Sequence, residues 1–155
     1  MPTALVTGAS GGIGYELAHE HARRGGDLVI VARNEGALHN HREAWQKQYG
    51  VAVHVIAADL SQPGSAKALY DEVCRRGLTI DILINNAGFG QYGLFDESDV
   101  DRALQMLELN IVALTMLTRL FVADMVRRGS GRIMNVASTA SFQPVPLMTL
   151  YAATK

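Results

Sequence analysis

Thr3-Ala4-Leu5-Val6, then Thr7-Gly8-Ala9-Ser10-Gly11-Gly12-Ile13-Gly14, then a helical run from Tyr15 to about Arg24, is the stretch that decides the fold. It reads as a short strand, a glycine-rich turn and a helix. Glycine at these positions permits a tight turn and lets backbone N–H groups come close to a ligand. The start of the helix adds the positive end of its dipole, which suits a pyrophosphate. A glycine triplet alone carries little weight, but between a strand and a helix it marks a dinucleotide-binding βα unit. The alternative is a glycine-rich turn with no ligand.

The same alternation continues along the chain. Leu28–Val31 is a continuous apolar run, as expected of a buried parallel strand. A helix is predicted from Glu35 to Gln48, ending before Gly50, and a third strand from Val51 to Ala57. The next helix follows Ser61-Gln62-Pro63, with Pro63 near its first turn, and runs to about Arg76. Strands at Ile80–Asn85 and Ile133–Val136 complete the set. Strands alternating with helices predict an α/β, Rossmann-like, doubly wound parallel sheet in three α/β/α layers, with residues 1–155 as a single domain. Between Asp96 and Arg128, apolar residues at Val100, Leu104, Leu107, Ile111, Leu114, Phe121 and Met125, with Thr118, keep a spacing of three and four. That predicts one long amphipathic helix or two abutting ones. Asn110 falls beside this seam, where an amide must find partners, and a helix irregularity is one way to supply them.

Composition narrows the function classes. With 14 basic and 15 acidic side chains and a net charge of −1, no field favours nucleic acid or an anionic membrane. The single cysteine, Cys74, excludes an internal disulfide and suits a reducing compartment. Met1 leads almost directly into the first strand and no run approaches a spanning length, so a cytoplasmic location is expected. His19 and His21, like His39 and His41, are two apart on a helix, a spacing that separates the rings. They are read as solvated surface, and no metal site is expected. Trp45 and Tyr49, four apart, read as a packing pair.

Tyr151 and Lys155 are four apart on a predicted helix and share one face. An ammonium held near a phenol favours the phenolate. Such a pair can exchange a proton near neutral pH, which carbonyl reduction and alcohol oxidation both need.

Several motifs together resemble the short-chain dehydrogenase/reductase family. Thr7, Gly8, Gly12 and Gly14 follow its Thr-Gly-x-x-x-Gly-x-Gly pattern. Asn85-Asn86-Ala87-Gly88 matches its motif after the fourth strand, and Asn110 sits where the family has a helix asparagine. Ser138, Tyr151 and Lys155 complete the set, although Ala137 and Ser141 replace a serine and a glycine often found in that loop. The resemblance implies a catalytic group of Asn110, Ser138, Tyr151 and Lys155. It implies nucleotide contacts from Gly8, Ser10, Gly12, Ile13 and Gly14. Asp59 and Leu60 would lie at the adenine, Asn86, Ala87, Gly88 and Tyr151 would also contact the cofactor, and Lys155 would bind the nicotinamide ribose. Asp59 also reads as a simple turn residue. In the family the long helix contributes to a subunit interface, so a homodimer or homotetramer is expected. Members normally continue past the lysine through two more strands and a substrate loop, so the chain is expected to be part of a longer protein.

At the tip of the second strand stand Ala32, Arg33 and Asn34, with no carboxylate for a ribose 2′-hydroxyl. A guanidinium there suits a 2′-phosphate, so NADP(H) is expected over NAD(H). Arg33 as a solvated charge, with Glu35 nearby, is the competing reading. The function expected is hydride transfer between nicotinamide and a carbonyl or secondary alcohol. The alternatives are a catalytically inactive nucleotide-binding fragment and, ranked last, an epimerase or dehydratase. Pro144-Val145-Pro146-Leu147-Met148 reads either as an apolar wall of the substrate pocket, favouring a partly hydrophobic substrate, or as residues that only shape the loop before the helix.

Overall fold

The computed structural model describes all of Met1–Lys155. Five strands, β1 (Thr3–Thr7), β2 (Asp27–Ala32), β3 (Val53–Ala57), β4 (Ile82–Asn85) and β5 (Arg132–Asn135), form one sheet in the order β3-β2-β1-β4-β5. Every pairing is parallel. The chain moves outward from β1 in both directions, so the switch point lies between β1 and β4. Their C-terminal ends open a crevice there.

Helices α1 (Gly12–Arg23) and α2 (Glu35–Tyr49) cover one face, and α3 (Ser65–Arg75) with the long helix beginning at α4 (Val100–Leu107) covers the other. Successive strand residues point to opposite faces. Ala4, Val6, Leu28 and Ile30 therefore pack beneath Ala18, Ala22, Leu38 and Trp45. Leu5, Val29, Val31 and Leu83 pack beneath Leu69, Val73, Leu117 and Phe121. The expected three-layer α/β/α architecture is observed.

Several elements depart from their expected bounds: α1 starts at Gly12 rather than Tyr15, β3 and β4 each start two residues after Val51 and Ile80, and β5 lies one residue before Ile133–Val136. Pro63 precedes α3 rather than opening it. Gly64 intervenes with φ +78°, a left-handed turn that α3 follows. The long helix carries a π-helical turn over Glu108–Ala113 before resuming as α5 (Leu114–Arg128). A π-turn inserts one residue into an α-helix. Around and upstream of it the buried row accordingly runs at Met106, Asn110 and Ala113, one residue earlier than the expected Leu107, Ile111 and Leu114. Val100 and Leu104 face outward instead of joining the core. By length and composition, Val100–Arg128 is long and apolar enough to cross a bilayer, which the sequence reading had excluded. Its inner face, with Leu117, Phe121 and Met125, is spent on the sheet.

The histidines also differ from expectation. His19 stacks on Trp45 and bonds the Tyr49 hydroxyl at 2.7 Å, while His41 also stacks on Trp45. They fill the seam between α1 and α2. No group of His, Cys, Asp and Glu is arranged to hold a metal. Cys74 is exposed on α3.

Tyr70 of α3 donates a hydrogen bond to Asp124 of α5 at 2.8 Å. The bond holds the Asp124 carboxyl below its usual range and, with burial, pushes the Tyr70 phenol far above its own. A depressed carboxyl stabilises the fold above its unfolded value and loses that contribution as pH falls through the folded one. The raised phenol keeps its contribution until pH rises through its own shifted value. Tyr70→Phe should cost about 1–2 kcal/mol at neutral pH. The penalty should shrink as pH falls below the ordinary carboxylate range and Asp124 protonates. Urea unfolding of both proteins across that range checks this.

Candidate active site

The glycine-rich turn leaves β1 and is tied to its neighbours by backbone bonds. Gly8 and Ala9 N–H both donate to Val31 O, at 2.8 and 3.2 Å. The Asn86 side chain donates to Thr7 O at 2.9 Å and reaches Gly8 O at 3.4 Å. The Thr7 hydroxyl oxygen accepts from the N–H groups of Asn86 and Ala87, each at 3.0 Å. Asn86 thus serves by holding the turn, its amide nitrogen facing two carbonyls. Gly8 has φ +70° and Gly12 φ +56°. Gly14 is a contact glycine: a Cβ there would lie 2.3 Å from Gly8 O and 2.4 Å from Asn86 Nδ2. From α2, His41 Nε2 meets Ser10 O at 3.2 Å, a support that the sequence reading missed.

A cleft of about 560 Å³ runs from this turn across the ends of β2 and β3. Gly8, Ser10, Arg33, Asn34, Asp59 and Leu60 line it, so the structure brings together the residues expected around an adenosine. Asp59 is also the turn residue of the alternative reading. Its carboxylate accepts from Ser61 Oγ at 2.7 Å and Ser61 N at 3.1 Å. The Ser61 hydroxyl is the main reason its carboxyl sits below the usual range, with the Arg33 charge a smaller contributor. Asn34, whose side chain caps α2 by accepting from Ala37 N at 3.0 Å, joins the lining without having been singled out from sequence.

A second cleft of about 500 Å³ continues toward α6 (Thr149–Thr154) and holds Ile13, Asn86, Tyr151 and Lys155. Gly8, Ala87, Gly88 and Phe89 line both, so the two form one groove. Gly12 and Gly14 are not among either lining. Gly12 opens onto a neighbouring surface with Ile13, and Gly14 is a spacer beneath the turn.

At the α6 end, Asn110 is 4% exposed, at the centre of the π-turn. Its Oδ1 accepts from Phe89 N at 3.2 Å, and its Nδ2 donates to Phe89 O at 3.0 Å and Thr154 Oγ1 at 2.9 Å. The Lys155 ammonium donates to Val136 O at 3.0 Å. A Cβ on Gly88 would lie 3.0 Å from Asn110 Oδ1 and 3.2 Å from Lys155 Nζ, so the two groups converge over this glycine. The Tyr151 ring lies over Gly90, where a Cβ would be 3.1 Å from its edge. Ser138 begins a 3₁₀ turn (Thr139–Ser141), and its oxygen accepts from Ala140 N at 3.1 Å. It does not line the groove itself, whereas its neighbours Val136 and Ala137 do. Of the expected apolar wall, Met148 lines the groove. Leu147 (φ +65°) turns into an adjoining recess, and Pro144 and Pro146 are exposed.

The groove's chemistry fits a dinucleotide. Its floor is glycine where side chains would intrude. A βα turn faces the pyrophosphate position, a guanidinium stands at the adenosine end, and a phenol and an ammonium stand at the other. Fold and site together place the chain in the doubly wound, dinucleotide-binding class. The short chain dehydrogenase family model matches residues 2–155, and the chain belongs to that family. It is 36% identical to a very-long-chain 3-oxoacyl-CoA reductase of Anas platyrhynchos, over 98% of this chain and 50% of that protein. Among solved structures, a short-chain dehydrogenase from Sphingobium yanoikuyae in complex with NADPH superposes with TM-score 0.94 at 40% identity, covering 100% of this chain and 61% of that one. The bulky-bulky ketone specific alcohol dehydrogenase from Comamonas testosteroni gives TM-score 0.93 at 39% identity, covering 100% and 62%. The chain spans about half the length of the curated relatives it matches.

The contact at Gly14 sets a test. Gly14→Ala should leave little folded protein, because the methyl meets backbone. Gly11→Ala should melt like the parent, since its φ of −176° suits any residue and a Cβ there meets nothing within 4 Å. Thermal melts of the two variants decide it.

Proposed function

We propose that this chain is the cofactor-binding and catalytic part of an NADP(H)-dependent oxidoreductase that interconverts a ketone and a secondary alcohol. The observation that carries the reading is the convergence of Asn110 and Lys155 on Gly88, with Tyr151 over Gly90, at the far end of a groove that starts at the glycine turn. When bound, the nicotinamide supplies or accepts the hydride. In the reducing direction, the Tyr151 phenol gives its proton to the carbonyl oxygen as charge develops there. The Ser138 oxygen already accepts from Ala140 N–H, which leaves its proton for the same carbonyl oxygen. Lys155 stands at the same end of the groove, and Asn110, converging with it on Gly88, holds the path by which the proton is replaced. Oxidation reverses each step.

NADP(H) is favoured by the exposed Arg33 at the groove's adenosine end, by the absence of a carboxylate at the tip of β2, and by the NADPH bound in the Sphingobium relative. A bulky, largely apolar ketone is favoured by Met148 in the groove. A neighbouring recess of about 250 Å³, lined by Tyr92, Leu94, Phe95, Leu147 and Leu150, adds to it. The acyl and bulky-ketone names of two relatives point the same way. The outward row of Val100, Leu104, Ile111 and Val112 favours a homodimer or homotetramer, and a cytoplasmic location accords with the single free thiol.

Tyr151→Phe should abolish NADPH-dependent ketone reduction and leave the NADPH dissociation constant within about twofold of the parent's. Unchanged turnover would sink the mechanism. Arg33→Ala should weaken NADPH about tenfold or more and NADH little, because a guanidinium–phosphate contact is charge-assisted. Equal loss for both nucleotides removes Arg33 from the cofactor argument. Fluorescence titration reads both.

A further inference from the structure

We infer that Thr154 is the positioning residue that fixes the catalytic helix against Asn110; the inference rests on the oxidoreductase reading and adds to its site. Helix α6 begins at Met148 without a side-chain cap. It presents Tyr151 to the groove, and Lys155, four residues on, lines the same groove. Two side-chain hydrogen bonds join this segment to the rest of the fold, Lys155 Nζ to Val136 O and Thr154 Oγ1 from Asn110 Nδ2. The ammonium is needed for the chemistry, so the hydroxyl is the anchor.

The direction of the bond matters. The Thr154 hydroxyl donates its one proton to Tyr151 O at 2.8 Å, one turn back in its own helix. Toward Asn110 it can then only accept. That demands the amide nitrogen, the same orientation that the Phe89 N–H and carbonyl require. Three partners from two segments therefore agree on one orientation and leave Asn110 Oδ1 on the side of Gly88, where Lys155 Nζ also lies. Thr154 links the π-turn, through a buried amide, to the carbonyl of the tyrosine that moves the proton. Loosening it would let α6 drift from Gly88 without touching the glycine turn or the adenosine end.

Thr154→Val keeps the volume and removes the acceptor, while Thr154→Ser keeps the hydroxyl. The valine variant should lower kcat about fivefold to tenfold with the NADPH dissociation constant within about twofold, and serine should restore kcat to within about twofold. Amide hydrogen exchange in residues 149–155 should quicken in the valine variant alone, with the glycine turn unchanged. A parental kcat in the valine variant, or a serine variant as slow as valine, overturns the assignment. So does exchange in 149–155 that valine leaves unchanged. If the parent reduces no ketone with NADPH, the proposed activity fails, and the exchange comparison still judges Thr154 on its own.

Discussion

The structure hangs on one close approach, that of Gly14 at the start of α1 to the carbonyl of Gly8 at the end of β1. With no side chain at Gly14, helix and strand meet at a distance that a methyl group would violate. The Asn86 amide lies against the same spot and donates to both Thr7 O and Gly8 O. β1, β4 and α1 are thereby locked at one corner, and the crevice between the sheet's two halves opens from it. The groove's floor follows, because β4 hands directly to Ala87 and Gly88. Those residues are the meeting place of the glycine turn on one side and of Asn110 and Lys155 on the other.

Much of this was legible in the sequence because the relevant signals are local. Strand, glycine turn and helix are contiguous, and a continuous apolar run at Leu28–Val31 announced β2. Those readings fixed the parallel sheet and the three layers. The grouping of Gly8, Ser10, Arg33, Asp59 and Leu60 around one cleft came from motif positions, and the structure assembles it. The expectation of NADP(H) rested on chemistry at the tip of β2, where Arg33 stands exposed.

What escaped depends on contacts between distant segments. His19 and His41 looked like surface because their partners, Trp45, Tyr49 and the carbonyl of Ser10, come from other elements or from the next turn of the same helix. Pro63 looked like a helix start, and the left-handed Gly64 behind it moved the start on by two residues. Thr154 and Phe89 carried no signal of their own. Thr154 gains its meaning from a buried amide 44 positions away, and Phe89 from its backbone, both of whose polar groups that amide engages. The apolar seam of the long helix was traced with a regular spacing that the molecule itself does not keep.

That irregularity bears on how the chain should be matched to its relatives. Insertions and deletions are ordinarily assigned to surface loops. Here the extra residue sits within Glu108–Ala113, inside a helix and beside the site. An alignment of this chain with a relative whose helix is regular belongs with its one-residue gap at that turn. Placed in a loop instead, the gap would pair Asn110 with the wrong neighbour and displace every comparison from there to Val100.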